Sequence, residues 1–200
     1  MSNQAWQINA PGQLSLVNLQ STTLHPGPHQ VLVRMKAISL NFRDLLILNH
    51  NPKYPVATCP DLVPCCDGAG VVEEAGEGSK WKKGDHIFLH PNSWVKGPDV
   101  RSFDASKTLG CGDVQGTLRR WSVWRDDQLI AAPSGLSFEE ASTLFTSGVT
   151  AWNALMHGFI NLRPEMTVIT QGTGGVSSWA IMVRLVPRKH SSVEWSDANN

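Results

Sequence analysis

The chain has 200 residues, with 17 basic and 17 acidic side chains and a formal net charge of zero. At 41% hydrophobic residues it has apolar material for one or two packed domains. No basic field selects nucleic acid or anionic lipid, no apolar run reaches the length of a membrane span, and the polar start Met1-Ser2-Asn3-Gln4-Ala5-Trp6 lacks a signal-peptide core. The expectation is a soluble, cytoplasmic protein without nucleic-acid or membrane partners, whose Cys59, Cys65, Cys66 and Cys111 stay reduced.

Residues 1–28 alternate only weakly and end in Pro26-Gly27-Pro28. The pattern from His29 to Ser39 predicts a strand with Val31, Val33 and Met35 on one face. Asn41 to Asn49 has helical spacing through Phe42, Leu45, Leu46 and Leu48. The proline-rich stretch from His50 to Pro64 predicts an irregular surface loop. Strands are expected over Gly68–Gly76 and, after the turn at Gly84-Asp85, through Leu89. Residues 90–117, rich in Gly, Asp, Ser and Pro, read as a long loop, and Trp121 to Ala131 as strand again. Ser137 with Glu140 forms a capping-box signature for a helix through Ala141, Leu144 and Phe145. Gly148 is a candidate break before a second helical stretch from Ala151 to His157.

Pro164 precedes a short β-branched strand, Thr167-Val168-Ile169-Thr170. That strand feeds Gln171-Gly172-Thr173-Gly174-Gly175-Val176-Ser177, a glycine turn opening a helix. Gly172 allows a tight turn, Gly174 lets backbone approach a pyrophosphate, and a helix N-terminus offers free N–H groups. The competing reading is a plain strand-to-helix turn.

Several segments together resemble the medium-chain dehydrogenase/reductase superfamily, closest to its zinc-independent, quinone-oxidoreductase-like branch. They are Ser39-Leu40-Asn41-Phe42-Arg43-Asp44, Asp67-Gly68-Ala69-Gly70-Val71-Val72, Gly84-Asp85-His86-Ile87, Gly116-Thr117-Leu118, Ser147-Gly148-Val149-Thr150-Ala151-Trp152 and Gln171 to Ser177, in the family's order. The resemblance implies a mixed α/β architecture: a GroES-like β-barrel domain over 1–133, then the incomplete start of a Rossmann fold over 134–186. Residues 187–200 read as a non-family, disordered tail. It also implies hydride transfer between NADP or NAD, with NADP favoured, and a carbonyl, quinone or activated alkene as small-molecule substrate.

The catalytic candidates carried by the resemblance are Asn41, Arg43 and Asp44, placed in relatives near the nicotinamide; Arg43 and Asp44 can equally be a structural pair at a helix start. The cofactor-binding candidates are Gly172, Thr173, Gly174, Gly175 and Val176, with Thr150, whose other role is a helix cap. Zinc-dependent relatives carry ligands where this chain has Asn41, Cys66-Asp67 and Phe145 or Thr146, so no metal is expected. A chance gathering of Cys59, Cys65 and Cys66 is the weaker alternative.

A dinucleotide site needs more than its first turn, and a ribose-binding acid follows about 20 residues on. Glu194 stands near that distance, but Pro187 ends the helix and no apolar strand delivers Glu194. Val168, Ile169, Val176, Ile181, Met182, Val183 and Leu185 are therefore expected to lack cover, and cofactor binding to be impaired. Two functions stay open: a zinc-free oxidoreductase, or a non-catalytic GroES-like module bound to a full-length paralogue or acting as nothing on its own. A homo-oligomer is an open partner state.

Overall fold

Alternation builds the longest strand. In β3 (Gln30–Ser39), Val31, Val33 and Met35 point to one side and are buried. The computed structural model describes residues 2–19, 24–93, 95, 101, 103–158 and 166–185. The expected tail over 187–200, with Pro187 and Glu194, lies outside the described residues, as does Pro164. The chain divides into two units, Met1–Thr146 and a second from Ser147 onward.

In the first unit β3 joins β4 (Asp67–Ala75), β5 (His86–Leu89), β6 (Trp121–Arg125) and β7 (Leu129–Ala131) in an antiparallel sheet of order β6-β3-β4-β5-β7. Val31, Val33, Val72, Ile87, Leu89 and Trp124 form the main core, with Leu109 brought in from the long loop. Each such side chain contributes roughly 1.5–3 kcal/mol of burial, which is why the sheet positions everything else.

The stretch from Trp121 to Ala131 is not one strand. A tight turn at Asp126–Gln128 divides it, and β6 and β7 go to opposite edges of the sheet. Asp126 pins that turn by accepting from Ser79 Oγ at 2.7 Å and from the Lys80 N–H at 3.1 Å. The weakly alternating start is a hairpin, β1 (Asn3–Ala10) and β2 (Gln13–Leu19), turned at Gly12 with φ 74°. A bulge between Ile8 and Ala10 shifts the register beyond Ile8, and within the regular ladder before it the buried positions Asn3, Ala5 and Ile8 already depart from a period of two. The loop after His50 is not all surface: Leu62 and Val63 are fully buried, and Leu62 C=O accepts the Ile8 N–H.

α1 (Phe42–Leu48) forms where its spacing predicts, but with a different face inward. Asp44 and Ile47 are buried, whereas Phe42 is 73% and Leu45 56% exposed. Ile47 joins a second cluster with Ile8, Leu62 and Cys111. α2 (Phe138–Ser142) opens on the expected capping box: Ser137 Oγ accepts the Glu140 N–H, and Glu140 accepts the Ser137 N–H. It ends at Ser142, and Leu144–Val149 forms a wider π-helical turn before α3 (Thr150–Met156). Gly148 is not a break but lies inside that turn; a Cβ there would stand 3.5 Å from the Trp179 ring.

The second unit contains α3 and α4 (Gly175–Leu185), packed on each other. The expected strand Thr167–Thr170 is in no ladder among the described residues. A β-branched run becomes a strand only with a neighbour to bond. Ile169, Val176, Ile181 and Met182 are exposed, as expected for residues without cover, while Val168 and Val183 are half-buried.

Candidate active site and phosphate cradle

Within the first unit, one polar cluster forms where the sheet meets α1. Asp67 opens β4 and is 1% exposed, enclosed by the residues that bond it. Thr146 Oγ1 donates to Asp67 Oδ1 at 2.7 Å, and the Thr146 N–H to Oδ2 at 3.3 Å. Asn41 Nδ2 donates to Oδ2 at 3.1 Å. Cys66 Sγ lies 3.5 Å from Thr146 Oγ1 and 3.9 Å from Asn41 Nδ2. Three separate elements thus converge on one carboxylate. The segment Gly116-Thr117-Leu118 fixes its backbone: these N–H groups bond the carbonyls of Val63, Cys65 and Pro64, and Thr117 Oγ1 bonds Asp67 C=O.

Asn41 stands at the N-terminus of α1 and donates its side-chain N–H to Asp67. Asp44 supplies the capping contact from the other side, accepting the Asn41 N–H at 2.8 Å. Arg43 Nη1 reaches Asp44 Oδ1 at 3.4 Å and Leu109 C=O at 3.2 Å, and its guanidinium lies over the Tyr54 ring at 5.6 Å. Of the three catalytic candidates, therefore, Asn41 joins the cluster directly. Asp44 bonds the Asn41 backbone at the start of α1, and Arg43 bonds Asp44 and the Leu109 carbonyl.

Burial dominates the titration of these groups. It pushes Asp44 up from 3.8 to about 6, helped by Asp67 and opposed by the Asn41 N–H and by Arg43. Burial also raises Asp67, while the bonds from Thr146 and Asn41 pull it back. The Cys66 thiol is driven up to about 12 by burial and then by Asp67, and Cys65 is raised likewise. Burial thus disfavours the nucleophilic thiolate form of both.

A catalytic zinc takes three protein ligands, with any thiol deprotonated. This cluster offers one thiol and one carboxylate, both of whose oxygens already accept hydrogen bonds; its other members, Asn41 and Thr146, are a neutral amide and a hydroxyl. That donor set does not fit a catalytic zinc. Among the described residues no group of three or more His, Cys, Asp or Glu side chains is arranged to hold a metal, Cys59, Cys65 and Cys66 included.

In the second unit, Gly172 takes φ 79°, and a Cβ at Gly172 or Gly174 would meet nothing within 4 Å. The first helical bond of α4 is Ser178 N–H to Gly174 C=O, so the amides of Gly175, Val176 and Ser177 precede the helical ladder. Ser177 Oγ donates back to Gln171 C=O at 2.9 Å and closes the turn. A Cβ on Gly175 would stand 2.5 Å from Ser147 Oγ, so that position is tightly packed. Gly172, Thr173, Gly174, Gly175 and Val176 thus form an open glycine turn at a helix N-terminus. Thr150 is exposed and begins α3 directly from a residue already helical (Val149, φ −64°, ψ −37°), so it caps no helix end.

Sequence reasoning placed Asn41 but gave Asp67 and Thr146 no role of their own. The available signal was an acid, Asp67, set among Cys65, Cys66, Gly68 and Ala69, where an unpaired carboxylate would be costly.

An antiparallel GroES-like domain followed by a glycine-turn helix start defines an alcohol-dehydrogenase-like oxidoreductase class. Residues 27–134 match the alcohol dehydrogenase GroES-like domain model. The chain belongs to that family and, with it, to the medium-chain dehydrogenase/reductase superfamily. It is 37% identical over 164 residues to a zinc-type alcohol dehydrogenase-like protein of Schizosaccharomyces pombe, covering 81% of this chain and 46% of the relative. It is 30% identical over 170 residues to the synaptic vesicle membrane protein VAT-1 homolog of Rattus norvegicus, covering 79% and 33%. The structure of a putative alcohol dehydrogenase from Sinorhizobium meliloti superposes with a TM-score of 0.78 at 30% identity, covering 90% of this chain and 53% of that one. That of an NAD-dependent alcohol dehydrogenase superposes at 0.70 with 27% identity, covering 90% and 54%. The chain therefore spans about half the length, or less, of these relatives.

Proposed function

We propose that this chain carries the substrate-polarising and pyrophosphate-binding parts of a zinc-independent, NAD(P)H-dependent oxidoreductase acting on a carbonyl, quinone or activated alkene. The observation that carries the reading is the open cradle at the N-terminus of α4, with Gly172 in the left-handed region. A neighbouring fold is an NAD-dependent alcohol dehydrogenase, which supports a nicotinamide cofactor. When bound, that cofactor supplies or accepts the hydride. NADP is the favoured form.

The chain's own residues bind and orient. The α4 amides and their dipole hold phosphate charge. Asp67 accepts one Asn41 N–H and so fixes the plane of the amide; the second faces Cys66 Sγ at 3.9 Å, a weak acceptor that a substrate oxygen would displace as negative charge develops there. Asp44 is a positioning residue that holds the Asn41 backbone, and Arg43 acts through Asp44. Titration calorimetry with NADPH and with NADH tests the proposal. Binding of either in the millimolar range or tighter, abolished by Gly174→Asp, supports it, and no heat with either at millimolar cofactor refutes it. Chelator treatment is expected to leave any quinone or enone reduction unchanged.

A second reading follows from exposed Ile169, Val176, Ile181 and Met182. On that reading the chain is a non-catalytic module that binds a full-length paralogue through this apolar surface, with binding of the intact cofactor impaired. Co-purification with a full-length relative, lost in Ile181→Glu, separates this reading from the first. The expected location in either case is the cytoplasm.

A further inference from the structure

No Asp, Glu, Lys or Arg occurs before Arg34, so the β1–β2 hairpin carries no charge at all. Its outer strand, β2, reads Gln13-Leu14-Ser15-Leu16-Val17-Asn18-Leu19. Natural edge strands are usually blunted by lysine, proline or a covering element. β2 has none of these: among the described residues, the backbone of 13–19 bonds only β1. On the exposed face of the same hairpin, Trp6 stands directly across from Leu16, and Leu14 lies beside them; all three are large exposed apolar residues.

The direction of the free backbone groups follows from the register. Trp6 N–H points away from β2, to Leu118 C=O, and Ile8 N–H points to Leu62 C=O. Trp6–Leu16 and Ile8–Leu14 are therefore non-hydrogen-bonded pairs of the hairpin. The Gln4–Asn18 pair is of the same kind, because Gln4 C=O accepts the Arg120 N–H on the far side. In such pairs both strands aim their amides outward, so Leu14, Leu16 and Asn18 all present N–H and C=O at the free edge.

We propose that this edge pairs with the same edge of a second copy of the chain, antiparallel about a two-fold axis through Leu16. Leu16 then faces its own counterpart, and Leu14 faces the partner copy's Asn18, each pair exchanging both backbone bonds. The hairpins become one four-stranded sheet. Across it runs a continuous row, Trp6 and Leu16 of one copy followed by Leu16 and Trp6 of the other, in lateral contact on one face of the sheet. The occupant is a second copy because the surface has no charge to offer a charged partner, and two neutral edges meet without like-charge repulsion. The pairing is smaller than a standard interface, so the dimer is weak and concentration-dependent.

The test uses the full chain. Sedimentation velocity should show a monomer–dimer equilibrium that shifts toward dimer with concentration. Hydrogen exchange should show Leu14, Leu16 and Asn18 amides gaining protection with concentration, while Ser15 and Val17, already bonded to β1, stay unchanged. Leu16→Lys sets two like charges across the axis and should weaken the dimer by about tenfold or more. Mixing it with Leu16→Glu should restore a heterodimer, which a folding defect in either variant would not allow. A monomer throughout the accessible range overturns the proposal. So does a dimer that Leu16→Lys leaves intact, or one that forms without protecting those three amides.

Discussion

Replacing Asp44 by Asn should stabilise the protein at neutral pH, although it removes one partner of an ion pair. The Asp44 side chain is 7% exposed, and its carboxyl is raised from 3.8 to about 6, with burial as the leading cause. At about 1.4 kcal/mol per pH unit, that rise means the ionised form costs the folded state about 3 kcal/mol. The sign follows from proton linkage. A carboxyl raised on folding binds its proton more tightly in the native state, so its contribution falls as pH climbs from about 4 to about 6 and the full cost stands above that. Asn keeps an oxygen for the Asn41 N–H and resembles the protonated acid. The variant should thus match the parent near pH 4 and exceed it by roughly 2–3 kcal/mol at pH 7.5. Urea unfolding followed by tryptophan fluorescence at pH 4, 6 and 7.5 measures this. The difference between variant and parent isolates Asp44 from Asp67, which is raised in the same direction. A variant less stable than the parent at pH 7.5, or a difference that does not change with pH, would refute the reasoning.

Four further outcomes are expected. Gly70→Ala should unfold the sheet, because a Cβ there collides with the Arg34 carbonyl oxygen and crowds Val33; loss of the cooperative thermal transition is the readout. Ser137→Ala should cost about 1 kcal/mol through the lost cap of α2, visible as a lowered midpoint in urea. A mild thiol reagent at neutral pH should modify half-buried Cys59 first and spare Cys65, Cys66 and Cys111, and peptide mapping checks the order. Asn41→Ala should keep the folded signal and lower kcat of any hydride-transfer activity by roughly 10²-fold, whereas unchanged kcat would remove Asn41 from the chemistry.

What the sequence revealed depended on whether one element carried its own signal. β3 did: Val31, Val33 and Met35 bury against a sheet face, and strict alternation reports such a face directly. The capping box of α2 did too, because its two bonds lie within four residues. The division of Trp121–Ala131 did not. Its residues suit a strand throughout, and only pairing of β6 with β3 and of β7 with β5 shows that the chain crosses the sheet at Asp126–Gln128. Thr167–Thr170 is the opposite case, a strand by composition that pairs with no neighbour among the described residues.

α1 shows why the candidate site was only half legible. Helical spacing through Phe42, Leu45, Leu46 and Leu48 found the helix, but Phe42 and Leu45 are exposed. The structure buries Asp44 instead, because the helix packs its polar side onto the Asn41–Asp67 cluster while Ile47, with half-buried Leu48, joins the apolar cluster. A buried carboxylate on a seven-residue helix is costly, and its cost is offset by the Asn41 N–H and Arg43. The arrangement is hard to justify by stability alone, since Asn would serve the cap without the charge. It is intelligible if Asp44 and Asp67 hold the Asn41 backbone and amide from two sides. On that account Asp44→Asn gains stability yet loosens Asn41, so it should lower kcat while leaving KM nearly unchanged; equal or faster turnover in the stabilised variant would show that the buried charge serves no positioning role.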